Sequence, residues 1–354
     1  MDYDYHIGVD YHKRFSYIVV QNGRGDVLRN GRVNNSFKEI EDYLLPFTDG
    51  LRQAVLEASR TYTVMYDWLD QICERVVLAH PLKVKAIADA KIKTDKIDAT
   101  TLAHLLRADL IPQSYVPGHE ARTMRAALRE RMFFVRLRTM TKNRIHTVFD
   151  RYPEEARKFK PQTDLFGKAG REQLQLLPVS GSDRIIIDRE LSFINDLNGY
   201  IKDTEKTIKG FAKDNPTVRR LQSIPGIGAF FAQLIAAEID EIKRFRNHKK
   251  LAGYAGLIPA VYSSGGKTSH GKMIKAGNKW LRWAFIEAVW PAICKDPELR
   301  EDYERHKARK GVNKAKVIIA RKLLTIAFHV LTEERNYRPL NKKERALKQM
   351  SRLS

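Results

Sequence analysis

The first hundred residues alternate short apolar runs with helical patterns, and this order constrains the fold more than any other feature of the chain. The apolar runs are rich in β-branched residues and are bounded by polar turns, which is typical of strands. The order is three strands, helix, strand, helix, strand, helix, and it favours a mixed α/β layer fold. Strands are predicted within 5–22 (two strands), 26–34, 54–56 and 75–79, and helices are predicted to begin near Ser36, Thr61 and Thr94.

Four carboxylates occupy strand ends and a helix start in this region. Asp10 follows the apolar run IGV, Glu57 follows AVL, and Asp95 and Asp98 lie three residues apart on one face of a predicted helix. Each alone is compatible with a turn or helix-cap role. Strand ends and helix starts at one sheet edge converge, however, so we expect one shared site. Mutual repulsion there would require Mg²⁺ or Mn²⁺, and two ions about 4 Å apart can clamp the oxygens of a phosphodiester.

The chain carries a large positive charge. Its 354 residues include 64 Lys and Arg against 42 Asp and Glu, which gives a net charge of +22. This excess predicts a polyanionic partner, and nucleic acid is favoured over a membrane because no apolar run is long enough to span a bilayer. Cys73 and Cys294 are too few for a disulfide framework, and the acidic N-terminal segment is not typical of a signal peptide. We therefore expect a cytoplasmic protein.

Residues 114–213 are expected to contain two long helices separated by an insertion. The first has arginines at helical spacing, which would form one basic stripe along a polyanion; a solvated charged face is the other interpretation. This stripe consists of Arg122, Arg125, Arg129 and Arg136, continued by Arg144. The second has an apolar heptad seam, which predicts an antiparallel helix pair or a dimerising coiled coil. The seam consists of Ile187, Leu191, Ile194, Ile201 and Ile208.

Two Gly-rich segments follow. Leu221–Ile239 has the form of a helix–hairpin–helix, in which Gly226 and Gly228 would let backbone N–H groups approach a DNA phosphate. A plain packing unit is the alternative. Gly256–Arg282 contains a Ser-Ser-Gly-Gly loop among cations that could stabilise a serine alkoxide and neutralise a phosphate, although such loops are usually only turns. The cations expected to contact nucleic acid are Lys267, Lys272, Lys275 and Arg282.

The motifs GVD, LEAS and KTDKIDA resemble the DEDD tetrad of a RuvC-like nuclease domain with the RNase H fold. In particular they are similar to the DEDD transposases of the IS110 insertion-sequence family, relatives of the Piv DNA invertase. The resemblance implies that Asp10, Glu57, Asp95 and Asp98 are the tetrad. It also implies metal-dependent action on DNA rather than simple binding.

The C-terminal region resembles the second domain of the same family, in which G-L-x-P, a Ser-Gly pair and I-x-K-x-G-N-x-x-L-R occur in this order. Matched by motif, Ser264 is the expected nucleophile, and Ser263 is the near alternative. The resemblance implies a covalent serine–DNA intermediate, with metal on the tetrad activating the serine or stabilising the leaving oxygen. It also implies two nucleic-acid partners, the element's DNA and a structured guide RNA (a bridge RNA).

The predicted organisation is a RuvC-like domain over 1–113, a helical coiled-coil region over 114–213, a mostly α transposase domain over 214–336 and a basic tail over 337–354. Because tetrad and serine fall in different domains, we expect a composite site and a homo-oligomer, either a dimer or a tetramer. Two other functions stay open. One is a metal-dependent nuclease or junction resolvase in which the serine is idle, and the other is a non-enzymatic nucleic-acid-binding protein.

Overall fold

The described residues of the first unit form a five-stranded sheet with helices on both faces. The computed structural model describes residues 3–88, 94–211, 214–264, 267–274 and 277–339, and the chain divides into two units, Met1–Val116 and Pro117–Ser354. The strands of the first unit are β1 (Tyr5–Tyr11), β2 (Phe15–Asn22), β3 (Val27–Asn34), β4 (Arg52–Glu57) and β5 (Arg75–Ala79).

The sheet has the strand order β3-β2-β1-β4-β5. The β1–β2 and β2–β3 pairs are antiparallel, whereas the β1–β4 and β4–β5 pairs are parallel. Parallel neighbours need a crossover connection, and a helix lies between β3 and β4 and another between β4 and β5. The helices of this unit are α1 (Phe37–Leu44), α2 (Tyr62–Ile72), α3 (Pro81–Ile87) and α4 (Asp95–Arg107).

Both faces of the sheet are buried at β1 and β4, whereas the edge strand β3 is mostly exposed. Ile7 packs with Ile40 of α1 and Leu69 of α2, whereas Val55 packs on the other face with Leu102 of α4. Burial on both sides explains why β1 and β4 contain continuous apolar runs in the sequence. The predicted strands are confirmed, as are the three predicted helices; the short helix α3 was not predicted.

Two long helices of the second unit form an antiparallel pair. The Arg131 guanidinium on the first bonds Glu205 on the second at 2.8 Å, and Arg138 bonds Asn198 at 2.7 Å, so the two helices run in opposite directions. The whole predicted seam from Ile187 to Ile208 is buried, which confirms it as a packing surface. The helices of this region are α5 (His119–Phe149), α6 (Pro153–Ala156), α7 (Lys168–Leu176) and α8 (Gly181–Phe211).

The remaining helices enclose an apolar core that includes Leu281, Phe285 and Leu324. Among the described residues, no helix combines the length and apolar character needed to cross a bilayer. These helices are α9 (Pro216–Gln222), α10 (Ala229–Ile239), α11 (His248–Ala255), α12 (Lys279–Glu287), α13 (Val289–Lys295), α14 (Pro297–Lys310) and α15 (Val312–Thr332).

A β-hairpin stands where the sequence analysis predicted a flexible loop. Its strands, β6 (Pro259–Ser264) and β7 (Lys267–Met273), pair antiparallel between α11 and α12. The loop interpretation was wrong for Ser263 and Ser264, which lie in β6, because it rested on the polar composition of the segment. A Gly-Gly pair between two extended runs is a recognised hairpin signal. Gly265 and Gly266 themselves lie outside the described residues.

The predicted basic tail begins with an ordered residue. The backbone N–H of Tyr337 donates to Ser223 Oγ at 2.8 Å, and its hydroxyl donates to Asp296 Oδ2 at 2.5 Å. Tyr337 is therefore held between the end of α9 and the start of α14. The rest of the predicted tail, 340–354, lies outside the described residues.

Candidate metal centre and nucleic-acid interface

Two of the predicted carboxylates lie on neighbouring parallel strands at the same sheet edge. Val9 of β1 pairs with Leu56 of β4, so Asp10 and Glu57 are the next residues on adjacent strands. Both are partly buried. The parallel register therefore places these two residues side by side at the carboxyl ends of β1 and β4.

Helix α4 carries the other two carboxylates across the same part of the sheet. The Thr94 side chain caps this helix by accepting a hydrogen bond from the Ile97 N–H, which makes Asp95 the first helical residue. The helix lies unusually close to β1 at Gly8. A Cβ atom on Gly8 would lie 2.0 Å from the Ala99 carbonyl oxygen and 2.7 Å from the Ala103 nitrogen. The absence of a side chain at Gly8 thus permits the approach that brings Asp95 towards Asp10.

His12 joins these carboxylates, although the sequence analysis did not select it as a site residue. Its Nε2 lies 3.3 Å from Asp10 Oδ2 and 3.3 Å from Asp95 Oδ1. Ligand atoms from these three residues all lie within 4.8 Å of one another. The available signal was the position of His12 two residues after a strand-end aspartate.

The surroundings hold His12 in this position. The Asn35 side chain donates a hydrogen bond to the His12 carbonyl oxygen at 2.7 Å, and Ser16 Oγ donates to Asn35 Oδ1 at 2.7 Å. The His12 ring packs on Phe15 at 4.9 Å between centroids, and the Arg32 guanidinium covers the same Phe15 ring at 3.7 Å. The turn between β1 and β2 is therefore fixed from β3 and from the segment after it.

Negative charge accumulates around Asp10. Burial raises the pKa of its carboxyl, the Asp95 and Asp98 carboxylates raise this pKa further, and His12 opposes them. A bound cation would relieve the repulsion that these groups impose on one another.

The residues present fit a divalent cation. Adjacent ligands of an octahedral ion at about 2.1 Å lie about 3 Å apart, close to the 3.3 Å contacts of His12 with Asp10 and Asp95. Carboxylate oxygens suit Mg²⁺ and Mn²⁺, and an imidazole nitrogen is accepted more readily by transition metals than by Mg²⁺. The donor set is thus compatible with either predicted ion and adds a nitrogen ligand to the predicted oxygens.

The arginine stripe on α5 does not form one open basic surface. Arg125 is buried, and its guanidinium donates to the carbonyl oxygens of Ala237 at 2.7 Å and Glu238 at 3.0 Å. Arg129 binds the Glu238 carboxylate at 2.8 Å. The predicted contact of Arg125 with nucleic acid is therefore not supported, because its side chain is buried and its hydrogen-bond acceptors lie on another helix, α10.

The other stripe residues differ in accessibility. Arg136 and Arg144 are exposed, and Arg144 forms an ion pair with Glu190 of α8 at 3.1 Å. Arg122 is half-buried. Arg136 and Arg144 are therefore the stripe residues whose side chains a polyanion can reach most readily.

The two glycines of the predicted helix–hairpin–helix lie in the turn between α9 and α10, where they have different roles. Gly226 has a φ of +86°, and a Cβ there would lie 2.3 Å from the Ala288 carbonyl oxygen. Glycine is favoured at this position because the turn has a positive φ and because the backbone lies close to the region between α12 and α13. Gly228 is the N-cap residue of α10, and a Cβ on it would meet nothing within 4 Å.

The cations around the serine pair divide between described and undescribed positions. In the hairpin, Ser264 pairs with Lys267 and Ser263 with Thr268. The side chains of Ser264, Lys267 and Lys272, and the whole of Lys275, lie outside what the structure describes. Arg282 donates to the Ala255 carbonyl oxygen at 3.3 Å, so its guanidinium takes part in packing next to the hairpin.

Two transposase family models match the chain in separate regions. A model for DEDD transposases matches residues 7–153, and the model for the transposase IS116/IS110/IS902 family matches residues 218–304. The chain belongs to the IS110/IS116/IS902 transposase family. The first match contains all four positions of the predicted tetrad, and the DEDD domain of this family is RNase H-like. The second match contains β6 and β7.

Known relatives of this family member are insertion-sequence transposases. It is 29% identical over 272 residues to the transposase for insertion sequence element IS1111A of Coxiella burnetii, covering 74% of this chain and 72% of that protein. It is 24% identical over 335 residues to the transposase for insertion sequence element IS1328 of Yersinia enterocolitica, covering 92% and 96%. Family membership implies cleavage and rejoining of DNA, and the DEDD domain indicates divalent metal.

Proposed function

We propose that this transposase cleaves and rejoins the DNA of an insertion sequence through two sets of residues, the tetrad with His12 and the serine pair of the hairpin. The observation that carries the proposal is the convergence of Asp10, His12 and Asp95 ligand atoms within 4.8 Å at the carboxyl edge of the sheet. Asp98 acts electrostatically on Asp10, and Glu57 ends the adjacent strand. The site is a metal centre rather than a set of unrelated turn and cap residues.

Asp10, Glu57, Asp95, Asp98 and His12 are the residues that would hold divalent metal, Mg²⁺ or Mn²⁺, in one or two ions. When bound, such an ion supplies Lewis acidity and charge stabilisation to a phosphodiester oxygen. The protein's own contribution is positional. The β1–β4 register and the α4 cap fix the carboxylates, and the Asn35 and Phe15 contacts fix His12.

Metal binding tests this part of the proposal without any DNA. Mn²⁺ or Mg²⁺ should raise the melting temperature of the wild-type protein, because a ligand at 100 times its Kd stabilises the folded state by about 2.7 kcal/mol. Asp10→Asn should abolish the rise. Asp70→Asn, an exposed carboxylate on α2, should retain it. An equal rise in both variants would show that the ions bind elsewhere.

The serine pair supplies the proposed nucleophile. As the family resemblance has it, Ser264 Oγ attacks a backbone phosphorus and loses its proton to solvent. The bond from phosphorus to one sugar oxygen breaks, that oxygen takes up a proton and leaves as a DNA hydroxyl, and a covalent serine–DNA intermediate remains. A second DNA hydroxyl then displaces the serine and restores the phosphodiester. The position of the pair in the C-terminal family match supports this chemistry.

Covalent trapping separates the proposal from its rivals. Protein incubated with Mg²⁺, element-end DNA and flanking RNA should give an adduct that Ser264→Ala abolishes. Loss of the adduct in Ser263→Ala alone would identify Ser263, rather than Ser264, as the nucleophile. Cleavage that persists in both serine variants but is lost in Asp10→Asn would indicate a metal-dependent nuclease or junction resolvase. Binding without cleavage would indicate a non-enzymatic protein.

The proposed partners are the element's DNA, a bridge RNA and further copies of the chain in a dimer or tetramer, in the cytoplasm. Arg136 and Arg144, the turn at Gly228, and Lys267, Lys272 and Lys275 are the proposed phosphate contacts. The positive net charge supports polyanion binding and does not distinguish DNA from RNA. A recombination assay with and without the flanking RNA tests the RNA requirement, and light scattering of the purified protein tests the oligomeric state. The relationship to the Piv invertase stays a prediction.

A further inference from the structure

A buried polar network joins helix α5 to the segment that follows the hairpin. The Glu238 side chain on α10 has 0% exposure. Arg129 Nη2 donates to its two carboxylate oxygens at 2.8 Å and 3.1 Å, and Asn278 Nδ2 donates to Oε2 at 2.8 Å. A buried carboxylate is tolerated only when it is paired and hydrogen-bonded. Glu238 therefore holds α5 and Asn278 in a fixed relation.

Asn278 makes three kinds of contact at one point. Its Oδ1 accepts hydrogen bonds from the N–H groups of Trp280 and Leu281, both at 3.0 Å, and so caps α12. Its backbone N–H donates to the Tyr254 carbonyl oxygen of α11 at 2.7 Å. Its Nδ2 is the donor to Glu238. One side chain thus connects α12 and the α5–α10 pair, and its backbone adds α11.

The chain segments that enter and leave the hairpin touch backbone to backbone beside Asn278. The Ile274 N–H donates to the Ile258 carbonyl oxygen at 3.1 Å, just outside the β6–β7 ladder. A Cβ on Gly277 would lie 2.4 Å from the Gly256 nitrogen. Movement of Asn278 would therefore be transmitted directly to the base of the hairpin.

We propose that the Glu238–Asn278 contact positions the β6–β7 hairpin relative to α5. In this proposal Glu238, Asn278 and Arg129 are positioning residues for the serine chemistry and touch no reacting atom. The catalytic part rests on the proposed function, because the hairpin carries Ser264. The hairpin's attachment to the network rests on the contacts above and is independent of that chemistry.

Asn278→Ser isolates the contact. Serine is also a good N-cap residue, so α12 keeps its cap while the amide donor to Glu238 is lost. Asn215→Ser is the matched control. Asn215 caps α9 through the same pair of positions, the N–H groups of Thr217 and Val218, whereas the Glu238 carboxylate is bonded by Arg129 and Asn278. Asn278→Asp is a second variant, which keeps the cap and places a carboxylate against Glu238.

Three measurements are made on each full-length variant: melting temperature, hydrogen–deuterium exchange of 259–264 and 267–273, and yield of the covalent DNA adduct. For Asn278→Ser and Asn278→Asp we expect exchange in the hairpin to rise by about 10-fold, with a comparable fall in adduct yield. Both variants should melt below Asn215→Ser, because Glu238 loses a hydrogen bond and in Asn278→Asp also faces a second carboxylate, but exchange in the core of the second unit should not change.

Unchanged hairpin exchange in both Asn278 variants would overturn the proposal. Faster exchange with full adduct yield would overturn its catalytic part. Faster exchange throughout the second unit would show a general structural role and overturn it as well. If the wild-type protein forms no adduct, the proposed function fails, while hairpin exchange still decides whether the contact positions the hairpin.

Discussion

His12 is the residue that most changes the description of the metal centre. Its Nε2 is equidistant from Asp10 and Asp95, at 3.3 Å from each, and Asn35 and Phe15 hold it there. A nitrogen donor among carboxylates alters metal preference, because imidazole suits transition metals better than Mg²⁺. His12 therefore belongs with the tetrad as a candidate ligand.

Replacing His12 tests this role directly. His12→Ala should weaken Mn²⁺ binding, measured by calorimetry, by at least the roughly 10-fold that is lost when a group that only orients a metal ligand is removed. Mg²⁺ binding should weaken less, because Mg²⁺ relies on oxygen ligands. His119→Ala, an exposed histidine at the start of α5, serves as the control. Unchanged Mn²⁺ affinity in His12→Ala would exclude His12 as a ligand.

A substitution at Gly8 should impair metal binding as a substitution of a tetrad carboxylate does, although glycine has no functional group. Gly8→Ala inserts a methyl group 2.0 Å from the Ala99 carbonyl oxygen, so α4 must move away from β1. Overpacking of this kind costs about 1–3 kcal/mol, and metal binding should weaken because α4 carries Asp95. Denaturant unfolding and metal titration measure the two effects. Gly23→Ala, where a Cβ meets nothing within 4 Å, should change neither.

At the scale of elements, α5 and α8 illustrate how a helix surface divides between packing and solvent. The buried seam of α8 faces α5, and the polar positions Asn198 and Glu205 within that seam bond arginines of α5. The two polar residues that interrupt the heptad pattern thus add contacts across the helix pair. The same helices expose Ile185 and Phe133.

The seam residues should determine the stability of this pair. Ile194→Ala removes a fully buried side chain and should lower the free energy of unfolding by about 2–5 kcal/mol. Ile185→Ala, on the same helix but 51% exposed, should change it by no more than about 0.5 kcal/mol. Chemical denaturation of both variants makes the comparison. Similar losses would mean that Ile185 is also covered in solution.

At the scale of the whole molecule, the charge excess sets the strength and salt dependence of nucleic-acid binding. A net charge of +22 predicts that log K falls steeply and linearly with log salt concentration. Not every arginine contributes to this slope, because Arg125 and Arg129 are committed to Glu238 and its neighbours. The exposed cations produce the electrostatic potential that attracts nucleic acid to the surface of the protein.

Substitutions of two arginines on α5 should therefore affect different properties, DNA binding for Arg136 and stability for Arg125. Arg136→Ala should reduce the salt slope of DNA binding by about 1 and leave stability unchanged. Arg125→Ala should remove one of the cationic partners of the buried Glu238 carboxylate and destabilise the fold by about 3–5 kcal/mol. Fluorescence anisotropy over a salt series and thermal unfolding separate the two effects. A normal slope in Arg136→Ala would remove it from the interface.

The sequence by itself determined the order of strands and helices in the first unit, the edge at which Asp10 and Glu57 emerge, and the packing surface of α8. Local periodicity, caps and chain order fix these features, because they depend on residues close together in the chain. Tertiary structure decided the rest. Three features depend on residues that are far apart in sequence. They are the contact of His12 with Asp95, the close packing of α4 on Gly8, and the pairing of Arg125 and Arg129 with Glu238 on α10. A local sequence pattern does not encode contacts between distant residues, so the accessibility of each charged side chain depends on the tertiary structure.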